Sequence, residues 1–374
     1  MSAQDNLTQI LEGPALDPPP GVTPDFSKPG GSQSLGYGVV LVTGVLSVLA
    51  VALRLASRYI LKKIHIEDVF LVIALGLFAG LEYVNYEGSI SPGVQVHQWN
   101  VQFKHLERWL YLLHIASILY GLVLMFLKIA ILLDWLRIFA PMGQRNAIFW
   151  TVHILIWCNV IYYVSGTFLE IFRCTPRQKI WDPLYEGGIC PIDINANNFA
   201  SAILNLASDL AILAVPQFVI WRLQLSTAKK IGISLLFIIG IFAVVSGIAR
   251  LVFLLKILGS SDAIYNLSIV GLWGLGESAA GFLIMGIPSV PKVTKNLPIS
   301  ASVTSLLRSW TRRGPSSSDV AASVPKSRRR QFSRKRRGPW DISELETHDL
   351  VTLNQSSARE DVSTTEMERT YSRL

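Results

Sequence analysis

Seven long apolar runs constrain this chain more than any other feature. They cover approximately 36–58, 68–86, 109–136, 147–171, 199–222, 231–257 and 266–288. A helix needs about 20 mostly apolar residues to cross a bilayer, and runs of this kind separated by polar loops mark helices solvated by lipid. The expected fold class is an all-α membrane protein, a bundle of seven transmembrane helices over 36–288. Composition agrees. Of 374 residues, 51% are hydrophobic and only 16% charged, where a soluble protein carries about 25% charged residues. The mean hydropathy is +0.40. A soluble globular enzyme is excluded, and a disordered or fibrous protein with it. Glycine and proline inside the runs (Gly76, Gly80, Pro216, Gly240, Gly281) suit membrane helices, where small residues let backbones approach.

The flanks differ from the runs. Residues 1–35 form a proline-rich lead, expected to be disordered and extracellular. The lead lacks the basic and apolar regions of a cleaved signal, so the first span is expected to act as its own insertion signal. Residues 289–374 hold 16 Lys+Arg against 9 Asp+Glu, or +7 of the net charge of +8. This Ser/Arg-rich tail has no apolar periodicity and is expected to be disordered and cytoplasmic. Its charge points to anionic lipid headgroups rather than nucleic acid. With the N-terminus outside, the inner loops hold nine basic residues against seven outside, and twelve against seven once Lys292, Lys295 and Arg308 are added. The positive-inside rule therefore favours N-outside, C-inside. No internal repeat is present, which removes support for an inverted-repeat transporter.

Cys174 and Cys190 bracket the connection between the fourth and fifth runs. Two cysteines on one loop suggest a disulfide in an oxidising lumen, which agrees with an outward-facing loop. The alternatives are two free thiols or a metal site, although no histidine lies near enough to complete a metal set. Cys158, inside the fourth run, reads as an inert packing residue.

Ionisable residues at membrane depth are costly unless paired or hydrated, so each one calls for a functional hypothesis. Asp209 lies near the middle of the fifth run with Asn205 one turn earlier, Glu277 near the middle of the seventh, and Arg250 in the outer half of the sixth. These four read as a polar core that binds a ligand or switches conformation; a purely structural hydrogen-bond network has equal standing. At the inner helix ends, Asp68, Lys128, Asp134 and Arg137 form a candidate latch. Lys128 there either snorkels toward headgroups or pairs with Asp68 or Asp134.

Retinal needs a mid-membrane lysine for a Schiff base. The seventh run has none between Asn266 and Pro288, and Lys128 and Lys256 read as lying near helix ends. No cofactor is expected. The six histidines form no metal-binding cluster, and neither GxSxG nor a P-loop occurs. The chemistry left open is acid–base work by Asp209 or Glu277. In the tail, Ser333 follows Arg330 and Arg328 at a spacing that suits basophilic kinases, and a phosphate there weakens attraction to anionic lipid. Asn6-Leu-Thr8 is a glycosylation sequon on the outward lead; Asn266-Leu-Ser268 lies too close to the membrane.

Several spaced signatures resemble those of the fungal rhodopsin-domain family of seven-helix membrane proteins. They are Arg54-x-x-x-Arg58 with His65-Ile-Glu-Asp68, Lys128-Ile-Ala-Ile-Leu with Arg137-Ile, and Cys174-x-Pro176 with Trp181 and Cys190. Asn205-x-x-x-Asp209, Pro216, Lys229-Lys-Ile-Gly, Gly240, Arg250, Trp273 and Glu277 follow in order. The resemblance covers about 36–292. It implies a receptor-like topology and a filamentous-fungal origin, without retinal. Some members carry an outward CFEM module and act in surface sensing; residues 1–35 contain no cysteine, so that module is not expected. Other members, a satratoxin-cluster protein among them, belong to mycotoxin or other secondary-metabolite gene clusters.

The leading expectation is a non-catalytic receptor-like protein. It binds a small ligand on the outer side among the third, fifth, sixth and seventh spans and meets a cytoplasmic signalling partner through its inner loops and tail. The alternatives are an accessory protein of a secondary-metabolite pathway, serving export, self-protection or assembly, and a membrane enzyme using Asp209 or Glu277. The expected location is the plasma membrane, or failing that an endomembrane.

Overall fold

The computed structural model describes residues 3–139, 147–222, 227–290 and 293. Eight α-helices lie among them: α1 (Ala3–Glu12), α2 (Gln33–Leu61), α3 (Ile66–Ile90), α4 (Leu106–Phe139), α5 (Ala147–Ile171), α6 (Ile194–Arg222), α7 (Thr227–Leu258) and α8 (Ala263–Gly286). The described residues contain no strand, only the isolated bridges Pro14–Gln102 and Thr175–Ile189. The helices α2 to α8 are long and apolar enough to cross a membrane. They coincide with the seven apolar runs and extend past most of them, because polar end residues continue the same helices. The protein is a multi-pass membrane protein in a lipid bilayer.

Local chemistry sets the helix ends. Ser32 opens α2 by accepting a hydrogen bond from the Leu35 amide, which satisfies one of the free donors of the first turn. The helix stops at Lys62, whose φ of 50° is a left-handed cap. Asp68 accepts from the His65 amide at 3.1 Å at the start of α3, and its negative charge suits the positive end of the helix dipole. Asp262 caps α8 through the Tyr265 amide.

Packing places α4 and α8 at the centre. About half of the apolar window of each is buried, against 17–28% in the other five spans. Leu71 and Phe78 of α3, Val123 and Leu127 of α4, and Phe282 and Met285 of α8 make the central core, with the Phe78 and Phe282 rings 5.2 Å apart. Leu41, Val48, Ile161 and Ile238 stay exposed on the outward helix faces. Lipid solvates such a band as readily as neighbouring side chains would. The α2–α8 crossing depends on Gly286, where a Cβ would come within 2.6 Å of the Ala50 backbone.

The polypeptide connections define two faces. The loops 91–105, 172–193 and 259–262, together with the lead, lie on one, called here the disulfide face; the 62–65 turn lies on the opposite face. Where the sequence suggests a disordered lead, the structure contains α1 and a series of hydrogen bonds to the 91–105 loop. The Ala15 amide donates to Val101 O at 2.8 Å, the Ser32 amide to Val94 O at 2.9 Å, and Asn100 Nδ2 to Pro29 O at 3.1 Å. The prolines that suggested disorder fix φ and lower the entropy lost when such a segment is held by backbone bonds. The tail from 294 onward, Ser333 within it, lies outside the described residues, as does the side chain of Asn6.

Candidate functional site

The carboxylate of Glu277 on α8 is the hub of a buried polar network. It accepts from Asn205 Nδ2 of α6 at 2.7 Å, from the Tyr120 hydroxyl of α4 at 2.9 Å, and from Arg250 Nη1 of α7 at 3.1 Å. The Arg250 guanidinium also contacts the Tyr120 hydroxyl and lies over the Tyr120 ring, 4.2 Å from its centroid. Lys128 Nζ of α4 pairs with Asp209 Oδ1 at 2.8 Å and donates to Asn205 Oδ1, also at 2.8 Å. Tyr163 of α5 donates to the same Asn205 oxygen at 2.6 Å. Five helices thus share two cations and two carboxylates with no net charge, which is how ionic groups become tolerable in a low-dielectric interior.

The expected polar core of Asn205, Asp209, Arg250 and Glu277 is brought together. Lys128 requires a correction: it joins this core rather than a latch with Asp68 or Asp134, and it lies within α4 rather than snorkelling at an end. Lys128 and Asp134 are six residues apart, so they point about 120° apart around a helix of 3.6 residues per turn. Asp68 is already occupied by two arginines. Tyr120 and Tyr163 escaped the sequence reading, because a tyrosine in an apolar run does not reveal which helix its hydroxyl meets.

The remaining latch residues meet near the opposite face. Arg54 and Arg58 of α2 both engage Asp68 of α3 at 3.0 Å, and both contact Asp134 of α4. Glu67 accepts from Arg58 Nη2 at 3.2 Å and from Arg137 Nη1 at 2.6 Å. Arg54 Nη1 also donates to Met285 O of α8 at 3.4 Å. Three arginines and three carboxylates again balance. His65, just outside the spans, touches Arg137; burial and that guanidinium hold its imidazole below the ordinary value of 6.5.

A cavity of about 140 Å³ opens between α3, α4 and α8 in the half of the bundle nearer the disulfide face. Trp109, Leu113, Ala116, Leu267 and Leu272 supply apolar wall, and Tyr120 and Arg250 belong to its lining. This differs from the expected location among the third, fifth, sixth and seventh spans. Asp209 and Asn205 are enclosed by the network, and α7 contributes Arg250 alone to the lining. Glu277 and Asp209 do not line the cavity.

On the disulfide face, Cys174 and Cys190 are bonded, and Trp181 of the same loop packs edge-on against Tyr111 of α4 at 5.3 Å. Cys158 is free and exposed on α5, not packed in the core as its apolar surroundings suggested. Asn266 is buried and donates to Asp262 O at 3.0 Å. Glu82, an ionisable residue in the second run, went unremarked in the sequence. It is buried on α3 and accepts from Thr43 at 2.8 Å.

Residues 53–296 match the fungal rhodopsin domain. The chain belongs to the fungal rhodopsin domain family. It is similar to "Fugralins biosynthesis cluster protein 2" of Gibberella zeae, 36% identical over 78% of this chain and 73% of that protein. It is also 34% identical to a "SAT4 family membrane protein" of Emericella nidulans over 59% of this chain and 55% of that relative. "Satratoxin biosynthesis SC1 cluster protein 4" of Stachybotrys chartarum is 24% identical over 53% of this chain and 69% of its own length. No solved structure matches the chain. Arg54, Arg58, Lys128, Asn205, Asp209, Arg250 and Glu277, which carried the family resemblance in the sequence, all fall in the two buried networks of this fungal rhodopsin domain.

Proposed function

We propose that this family member is a receptor-like membrane protein that senses a small ligand without retinal. One observation carries the reading: Arg250 and Tyr120 are at once lining of the cavity and members of the five-helix network. A ligand that touches Arg250 changes what that guanidinium offers Glu277, and so biases how α4, α7 and α8 sit together. Such a differential contact is what a ligand needs to shift a conformational equilibrium. The arginine–carboxylate cluster at the far ends of α2, α3 and α4 is the second element that would respond.

In this reading the disulfide face is outward and residues 1–35 are extracellular, with Asn6 glycosylated. The bundle spans 36–288, and residues 289–374 are a cytoplasmic tail. The basic stretch from Lys326 to Arg337 rests on anionic lipid until Ser333 is phosphorylated. A cytoplasmic signalling partner reads the inner ends, and the membrane is the plasma membrane or, failing that, an endomembrane.

A second reading, an accessory protein of a secondary-metabolite gene cluster, is favoured by the names of two of these relatives. The acid–base enzyme reading has less support, because Asp209 and Glu277 are each paired with a cation. Metabolite and transcript profiling of a deletion strain, with a Glu277→Gln strain in parallel, separates them. Products that fall together with their transcripts support sensing. One accumulating intermediate with loss of its downstream product overturns sensing in favour of transport or catalysis.

A further inference from the structure

We infer that the cavity between α3, α4 and α8 takes a neutral small molecule with an apolar, ring-sized body and one carbonyl-type oxygen, which Arg250 binds. The inference rests on the ligand-sensing reading and specifies the ligand's chemistry.

Size comes first. A cavity of about 140 Å³ is close to the ~150 Å³ that accommodates benzene, so a single substituted ring fits. The apolar wall of Trp109, Leu113, Ala116 and Leu267 rewards such a body.

Hydrogen-bond polarity comes next. The Tyr120 hydroxyl spends its one proton on Glu277. Ser117 and Ser268 donate theirs to Leu113 O and Tyr265 O of their own helices. Ser89 does the same to Asn85 O. Among the described residues, the hydrogen bonds of Arg250 run through Nη1, which leaves the donors of Nε and Nη2 for a ligand. A guanidinium cannot accept, so what it binds must present an acceptor.

Charge decides between a carbonyl and a carboxylate. Among the described residues, Arg250 is the one cation lining the cavity, and Glu277 already balances it at 3.1 Å. The second pair, Lys128 with Asp209, is closed as well. A carboxylate ligand would therefore add an uncompensated negative charge to a buried, low-dielectric site, where the desolvation penalty outweighs the attraction of a neutralised pair. A ketone, lactone or amide oxygen gains the charge-assisted bond without that penalty.

The test uses the full chain in lipid nanodiscs and three fluorinated probes of similar size, followed by ¹⁹F NMR. The probes are 4-fluoroacetophenone, 1-ethyl-4-fluorobenzene, which lacks the acceptor, and 4-fluorobenzoate. An Ala116→Phe variant, with its ring filling the cavity, separates site binding from partition into lipid. The ketone is expected to bind about tenfold or more tightly than the ethyl compound, with benzoate unbound and the ketone signal abolished in Ala116→Phe. Equal binding of ketone and ethyl compound overturns the role of Arg250, and preferred binding of benzoate overturns the neutral class. Either result leaves the cavity as a ligand site and the sensing reading intact. Absence of any signal sensitive to Ala116→Phe overturns the proposal altogether, whatever the deletion strain shows. An Arg250→Lys variant that retains its fold is expected to lose most of the preference for the ketone; no measurement above depends on it.

Discussion

Lys128 and Asp209 stand 2.8 Å apart with both side chains largely buried, and a buried ion pair shows its value mainly when half of it is removed. Lys128→Met or Asp209→Leu alone leaves an uncompensated charge and is expected to cost about 3–5 kcal/mol. The double variant is expected to recover most of that loss, read as thermal unfolding of the purified protein; strictly additive losses would rule out the pairing. His65 gives a pH prediction of definite sign. Its folded-state value lies below the ordinary 6.5, so the unfolded chain binds the proton more readily. The contribution to stability is therefore complete above 6.5 and shrinks as pH falls from there toward the depressed value. His65→Gln is expected to flatten that acidic limb of the melting-temperature profile, and an unchanged slope would remove His65 as its source. At this scale the sequence revealed most of the costly residues, because a charge in an apolar run is conspicuous, although Glu82 was passed over. It did not reveal partners: Asp209 meets Lys128 across α4 and α6, and no local spacing encodes that meeting.

The helices themselves were legible almost to their ends, since length and hydropathy are properties of a contiguous segment. Their extra turns were less so, because Glu67 and Glu87 look like loop residues until their ion pairs are known. How closely two helices approach is a further property of the pair. At Gly286 a Cβ would press within 2.6–2.7 Å of the Ala50 backbone, while at Gly76 it would meet nothing within 4 Å. Gly286→Ala is expected to destabilise by about 1–3 kcal/mol through overpacking of α2 against α8. Gly76→Ala is expected to be neutral, or to stabilise by up to about 1 kcal/mol from reduced backbone entropy. Melting temperatures of the two variants make the comparison, and equal shifts would contradict the close crossing.

For the molecule as a whole, the Cys174–Cys190 bond closes a loop of sequence separation 16, and its loss is expected to cost about 3 kcal/mol in the chain-entropy account. A Cys174→Ala/Cys190→Ala protein should melt correspondingly lower. The same bond tests orientation. In a Cys158→Ala background, brief treatment of intact cells with an impermeant reductant and then an impermeant maleimide should label both cysteines if the disulfide face is outward. Labelling once the plasma membrane alone is permeabilised would place that face in the cytoplasm and reverse the proposed topology, whereas labelling that also needs the internal membranes opened would place it in a lumen. Fold class was readable before any coordinates, because lipid solvates each segment separately and selects it by length and composition alone. The central positions of α4 and α8, the anchoring of the lead by the 91–105 loop, and the cavity lined in part by Arg250 were not. Each depends on which helix faces meet after insertion, where apolar side chains pack against lipid and against one another almost equally well. Small residues and the pairing of buried charges then decide the arrangement.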